Sequence, residues 1–256
     1  MTVVPDLQST AKRAIVCLDL TNLDDFCSIE DVQRLCEQAQ TPFGSTAAVC
    51  VWPRFVTRAA NALKNTGVKI ATVVNFPNGD QPIEDVLTAA KSAQMDGADE
   101  IDLVIPYRKV LECKPSQVEE YVAETKAQIG DAPLKAILET GELKQPDLIR
   151  AAAEQALRGG ADFLKTSTGK VPINATPEAA QILLTAIQTS ALNAGLKVSG
   201  GIKTTEDAAT YLDLCDAIMG EEWASPRNFR IGASSVLGAL LATLGTVPGD
   251  PVGSRY

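Results

Sequence analysis

Hydrophobic positions in this chain gather into short, β-branched-rich runs, and longer stretches of helical pattern separate one run from the next. The runs are AIVCLDL (14–20), AAVCVW (47–52), KIATVVNF (69–76) and EIDLVIP (100–106). They continue with LKAILET (134–140), DFLKTST (162–168), LKVSG (196–200) and FRIGAS (229–234). Eight such runs, spaced by roughly 20 to 35 residues, leave room for a crossover helix after each strand. Helix punctuation fills the gaps. Ser116 and Glu119 predict a capping box ahead of VEEYVAETKAQIG, which closes at Gly130. Thr176 followed by Pro177 predicts an N-cap with proline in the first turn. Thr205 precedes EDAATYLDL, and Gly159-Gly160 closes a helix that begins near Pro146. Eight strand–helix units without a break in composition predict one (β/α)8 barrel, a TIM barrel of the α/β class, over residues 1–256. The Pro- and Gly-rich tail, about 246–256, is expected to be mobile. An open doubly wound sheet is the alternative architecture.

Composition narrows the function classes. Hydrophobic residues make up 45% of the chain, ordinary for a globular core, and no apolar run approaches the roughly 20 residues that span a bilayer. The beginning, MTVVPDLQSTAKRA, has no apolar core of a secretory signal. The six cysteines contain no CxxC pair, so reduced thiols in the cytoplasm are expected rather than a disulfide framework. Net charge is −9 and the 23 Lys and Arg form no basic stripe, which argues against nucleic acid as a partner. The chain has no histidine. This removes Ser-His-Asp triads, His-based acid–base chemistry and the usual zinc ligands, so no metal is expected.

Strands of a parallel sheet are covered on both faces and normally carry few charges. Four of these runs break that rule, with Asp19, Asp102, Lys165 and Lys197. Such charges must pair or shift their pKa, and polar groups near the C-terminal strand ends of a barrel face its catalytic mouth. A single strand charge can equally be a strand end reaching solvent or a salt-bridge partner, a reading that suits Lys135 and Glu139. A lysine held near a second ammonium has a lowered pKa. Its neutral amine can attack a carbonyl to form a Schiff base, the electron sink for carbon–carbon cleavage.

A phosphate site can be argued separately. TSTGK (166–170), GGIKT (200–204) and GASS (232–235) follow the sixth, seventh and eighth strands, and SSVLGALLATLG predicts a helix starting there. Glycines let backbone N–H groups approach an anion, and barrels often hold phosphate with their last two loops. The GxGxxG and GxxxxGK[ST] patterns of dinucleotide and P-loop sites are missing.

Several segments carry a resemblance over nearly the whole chain. CLDLTNL (17–23), GSTAAVCVWPRF (44–55), VVNFPNG (73–79), GADEIDLVIPY (97–107), ILETGEL (137–143), ADFLKTSTGK (161–170), SGGIKT (199–204) and RIGASS (230–235) resemble the deoxyribose-phosphate aldolase family, in order. The terminal GSRY resembles its longer bacterial form. The resemblance implies a class I aldolase that cleaves 2-deoxy-D-ribose 5-phosphate to acetaldehyde and D-glyceraldehyde 3-phosphate without a cofactor. It implies Lys165 as the imine-forming lysine, Lys197 as the lysine that lowers its pKa, and Asp102 as the partner of Lys197 in proton relay. Asp19 would orient that network, and Tyr256 would act as a phenol brought into the closed site. Thr21 and Leu23 would lie against the substrate and Cys50 near the acetaldehyde end of the pocket, although Cys50 also reads as a buried core thiol. Gly169, Lys170, Gly200, Gly201, Gly232, Ser234 and Ser235 would hold the phosphate. Val198-Ser199 stand where family members have Pro-Ala, and Lys203 where arginine is frequent, which keeps the charge but loses bidentate binding. A related aldolase on another phosphorylated sugar, and a non-catalytic phosphosugar-binding barrel, are the competing readings. A homodimer is the expected assembly.

Overall fold

The structure, a computed structural model, describes residues 6–245. Eight parallel strands close into a barrel in sequential order. They are β1 (Leu18–Asn22), β2 (Ala48–Val51), β3 (Lys69–Val74), β4 (Glu100–Val104), β5 (Leu134–Ile137), β6 (Phe163–Lys165), β7 (Gly195–Ser199) and β8 (Phe229–Ala233). β8 returns to β1 through the register Leu18↔Ile231, Asp19↔Gly232 and Leu20↔Ala233. The open doubly wound alternative is thereby excluded. A short ribbon of Gln40–Thr41 and Gly44–Ser45 precedes β2.

The period-2 geometry of a strand decides what faces the helices and what faces the barrel axis. On β4, Ile101 and Leu103 join the large apolar core packed with the surrounding helices. Glu100 and Asp102 alternate with them, are buried, and point the other way, toward the interior. The apolar part of that interior is small: Leu23, Ala48, Cys50, Ala71 and Val73, with Trp52 and Phe76 against it. Charged side chains occupy much of the rest: Asp19, Glu100, Asp102, Lys135, Lys165, Lys197 and Arg230 are all buried there.

Three helix boundaries differ from the sequence expectation. Ala14–Val16 end a helix, Leu7–Val16, instead of starting β1. Asp6 caps that helix by accepting from the Gln8 N–H, and the i, i+3, i+4 set Ala11, Ala14 and Ile15 is buried. Arg13 ties it to the helix Thr205–Met219 by a two-pronged bond to Asp216, 2.7 Å on each arm. The predicted Ser116 cap is not made. Pro115 precedes the helix Ser116–Ile129, so Ser116 is already its first residue. The helix after β7 is capped one residue earlier than expected, at Thr204, whose capping box is completed by Asp207. The Thr176–Pro177 start and the Gly130 and Gly159 closures lie where the sequence predicts them. Among the described residues no helix is long and apolar enough to cross a membrane.

Candidate active site

Inward parity on six strands brings seven ionisable side chains into one buried cluster. Asp102 on β4 is its hub. Its Oδ2 accepts from Lys165 Nζ at 2.7 Å and Lys197 Nζ at 2.8 Å, and its Oδ1 accepts from Lys135 Nζ at 2.7 Å. Asp19 on β1 accepts from Lys197 at 2.5 Å and from Arg230 at 2.7 Å. Glu100 closes the lower side, 2.7 Å from Lys135 and held by both arms of Arg230 at 2.7 and 3.0 Å. Lys165 and Lys197 are register partners on β6 and β7, which is why their ammonium ends meet on one carboxylate oxygen.

The arrangement sets the charge of Lys165. Four cations, Lys135, Lys165, Lys197 and Arg230, face three carboxylates, Asp19, Glu100 and Asp102. One positive charge is in excess, and an uncompensated charge in the interior is costly. Burial lowers the pKa of Lys165; Asp102 opposes that and Lys197 reinforces it, leaving the amine below the usual lysine value. Lys197 goes the other way. Burial also pulls its pKa down, but Asp102 and Asp19 outweigh burial and hold it charged. Burial likewise raises the pKa of Asp102, yet Lys135, Lys165 and Lys197 together keep it well below the ordinary carboxylate range. Neutralising Lys165 balances the cluster, and Lys165 is the member nearest the opening.

That opening is a cleft of about 570 Å³ whose walls include Lys165 itself. Thr21 and Leu23 line it near β1; Thr168, Gly169 and Lys170 line it after β6. Gly200, Gly201 and Lys203 come from the loop after β7, and Gly232, Ser234 and Ser235 from the end of β8. Gly200 and Gly201 have φ of +84° and +85°, a left-handed pair that a side chain would strain. Gly232 is required for a different reason: a Cβ there would stand 2.9 Å from Lys197 Cε and 2.8 Å from Ser199 Cβ. Ser235 precedes the helix Val236–Thr243 and makes no side-chain cap bond, so the first N–H groups of that helix are available to an anion.

Most of the expected site residues are thus brought together. Lys165, Thr21, Leu23, Gly169, Lys170, Gly200, Gly201, Gly232, Ser234 and Ser235 line the cleft, and Asp19, Asp102 and Lys197 lie beneath it. Cys50 does not line it; the thiol is fully buried in the small apolar cluster, and burial raises its pKa. Thr21 turns its hydroxyl back to the Asp19 carbonyl at 2.8 Å. Tyr256 and the segment 246–256 lie outside the described residues. Lys135 is a buried ion-pair partner with no exposure, the second of the two bland possibilities. Glu100 and Arg230 were missed. Their signal was parity, since each lies two residues before an inward position, Asp102 or Gly232. Ser199 donates to the Ser167 carbonyl at 2.5 Å, fastening β7 to the loop after β6.

Comparison with known proteins places these features in a family. The DeoC/LacD family aldolase model matches residues 13–235. A relative from Agrobacterium fabrum, a deoxyribose-phosphate aldolase, is 51% identical over 239 residues, 93% of this chain and 92% of the relative. The apo structure of a Toxoplasma gondii ME49 protein assigned as a deoxyribose-phosphate aldolase superposes with a TM-score of 0.84. It is 29% identical, covering 93% of this chain and 95% of the other. A deoxyribose phosphate aldolase from Aeropyrum pernix, described as tetrameric, gives a TM-score of 0.75 at 25% identity over 94% of this chain and 97% of its own.

Proposed function

Because the chain belongs to the DeoC/LacD family of aldolases, we propose that it reversibly cleaves 2-deoxy-D-ribose 5-phosphate to acetaldehyde and D-glyceraldehyde 3-phosphate through a Schiff base on Lys165. One observation carries the assignment of the nucleophile. Lys165 is the lysine of the buried cluster that reaches the cleft, and it is the one whose pKa is lowered.

The neutral Lys165 amine attacks C1 of the open-chain aldehyde, and loss of water gives a protonated imine. A proton then leaves the C3 hydroxyl, the C2–C3 bond breaks, and its electron pair flows into the imine as an enamine. D-Glyceraldehyde 3-phosphate departs; protonation of C2 and hydrolysis release acetaldehyde and restore the amine. Cleavage needs an imine that stays protonated until it takes up the electron pair, and the steps on either side each move a proton close to it. Asp102, held ionised by Lys135 and Lys197, suits the imine's counter-charge. Lys197, kept protonated by Asp102 and Asp19, suits proton delivery through a water. Asp19, Glu100, Arg230 and Lys135 would fix the orientation of both.

The phosphate would sit where the glycine loops and the last helix converge, with Lys170 and Lys203 as nearby cations. In this reading no metal or organic cofactor takes part. The phenol of Tyr256 would assist proton transfer at C2, as the family resemblance implies. A cytoplasmic location fits the six free thiols. A two-fold homodimer is proposed on the prevalence of that symmetry; a light-scattering mass would distinguish it from the tetramer described for the Aeropyrum pernix relative.

The test is reduction with borohydride in the presence of acetaldehyde, followed by peptide mapping. A two-carbon adduct on the peptide containing ADFLK is expected. An adduct on Lys197 alone, or on no strand lysine, refutes the assignment.

A further inference from the structure

Glu139 follows β5 and is fully buried, yet it makes no hydrogen bond or ion pair within the charged cluster described above and feels Lys165 only through its charge. Its backbone is left-handed, at φ 55° and ψ 58°, a conformation glycine adopts freely and other residues rarely do. Its carbonyl accepts from the Glu142 and Leu143 N–H groups at 2.9 and 3.2 Å, and its side chain adds the contacts to the next loop. Both carboxylate oxygens go to one residue on the neighbouring strand's loop. Thr168 donates its hydroxyl to Oε2 at 2.6 Å and its backbone N–H to Oε1 at 3.2 Å. The Thr168 hydroxyl in turn accepts from the Lys170 N–H at 3.0 Å. The backbone ladder runs alongside, with Leu138 N–H donating to the Lys165 carbonyl at 2.9 Å and Thr140 N–H to the Thr166 carbonyl at 2.9 Å.

The polarity of this chain is informative. A carboxylate can only accept, so the Thr168 hydroxyl must donate to it, which leaves the hydroxyl oxygen free to accept from Lys170. One buried group therefore fixes both ends of the Thr168–Gly169–Lys170 turn, and all three of those residues line the cleft. The turn begins three residues beyond Lys165, the last residue of β6. Burial raises the Glu139 pKa against the pull of the Thr168 bonds, so the carboxyl sits where only directed donors make its charge tolerable.

We propose that Glu139 is a positioning residue for phosphate recognition: it clamps the turn that follows the Schiff-base strand so that the turn's backbone and Lys170 meet the substrate phosphate. The proposal rests on the substrate reading above. It separates phosphate binding from the covalent chemistry, since Glu139 bonds to the loop and to neither Lys165 nor Asp102. Its loss therefore affects KM for the phosphorylated sugar and leaves the imine step intact.

The experiment uses Glu139→Ala, Glu139→Gln and Glu139→Gly in the full-length protein. Glycine relieves the left-handed backbone and guards against a variant that merely fails to fold. Each is assayed with 2-deoxyribose 5-phosphate, with unphosphorylated 2-deoxyribose, and by borohydride trapping with acetaldehyde. Removing a charged acceptor that serves two buried donors is expected to raise KM for the phosphorylated sugar by about 10- to 100-fold in the Ala and Gly variants. The Gln variant, which keeps one carbonyl oxygen for the hydroxyl, should recover part of that loss. Trapping at Lys165 and turnover of 2-deoxyribose should stay close to wild type. Equal losses on both sugars in folded variants, an unchanged KM, or loss of trapping each overturns the clamp. If the wild-type protein neither traps acetaldehyde nor prefers the phosphorylated sugar, it is the underlying reading that falls.

Discussion

The two ends of the cleft are built from different materials. At the floor, chemistry is carried by side chains on adjoining strands: seven ionisable groups, locked together by bonds of 2.5 to 3.0 Å and nearly withdrawn from water. At the rim, the loops after β6, β7 and β8 offer mainly backbone N–H groups, glycines and two serines. A side-chain cluster concentrates function, because each member has one task and removing it strands a buried partner. A backbone rim distributes function over several donors that no single substitution deletes. Substitutions at the floor should therefore act on turnover and protonation, and those at the rim on the affinity for one substrate group.

The sharpest way to break the comparison is Lys165→Met. Turnover should fall by at least on the order of 10,000-fold, as expected when a covalent nucleophile is lost, and trapping should vanish. Thermal stability should not fall, because the cluster is balanced without a charge on Lys165, with three cations facing three carboxylates. A variant that is inactive but also grossly unstable would mean that Lys165 is a structural ion-pair partner.

Lys197→Met comes next, with turnover expected to fall by roughly 100- to 1,000-fold. Lys197 disfavours protonation of Lys165, so its removal raises the Lys165 pKa. The acid limb of kcat/KM reports the neutral amine and should move to higher pH. Stability should also drop, by about 3–5 kcal/mol, since Asp19 and Asp102 lose a buried partner. The folded pKa of Lys197 lies above its unfolded value. Its stabilisation is therefore present below the unfolded pKa and is lost only as pH rises through the folded one. The melting-temperature gap between wild type and variant should persist through neutral pH. An unshifted acid limb would leave burial alone as the cause of the lowered Lys165 pKa.

These two lysines were readable from sequence because a charge inside an apolar parallel strand is anomalous where it stands. Asp19 and Asp102 shared that signal. Glu100, Lys135 and Arg230 did not stand out, since each lies in the first two residues of its strand, where charges usually reach solvent. What buries them is pairing across the barrel, as between Arg230 and Glu100, 130 positions apart, and no local pattern encodes such a contact. Glu139 was hidden by a boundary: expected inside the fifth strand, it follows the end of β5 at Ile137 and starts a new turn. The glycine loops were legible as loops, whereas the packing role of Gly232 against Lys197 needed coordinates.

At the rim, Ser234→Asp places a carboxylate where the phosphate is proposed to bind. Like-charge contact of that kind should raise KM for 2-deoxyribose 5-phosphate on the order of 100-fold. Turnover of unphosphorylated 2-deoxyribose, which presents no anion, should change little, as should trapping at Lys165. Equal loss on both sugars would show that floor and rim are not separable.

The smallest effect is expected where the two regions touch. Ser199 ends β7 two residues after Lys197, and its hydroxyl donates to the Ser167 carbonyl, two residues after Lys165. It is thus a side-chain contact serving the loop half of the cleft. Ser199→Ala keeps the Cβ that packs beside Gly232 and removes only the hydroxyl, so no sizeable cavity opens. The Ser167 carbonyl loses this donor, and a single neutral hydrogen bond contributes about 1 kcal/mol net. Chemical denaturation should therefore show a stability loss of about that size with an unchanged m-value. If the bond holds the loop, KM for the phosphorylated sugar should rise by roughly threefold to tenfold, about the same 1 kcal/mol expressed as affinity, with kcat intact. A loss of stability without any change in KM would show that the bond braces β7 alone. The loop would then take its shape from the Glu139 side only.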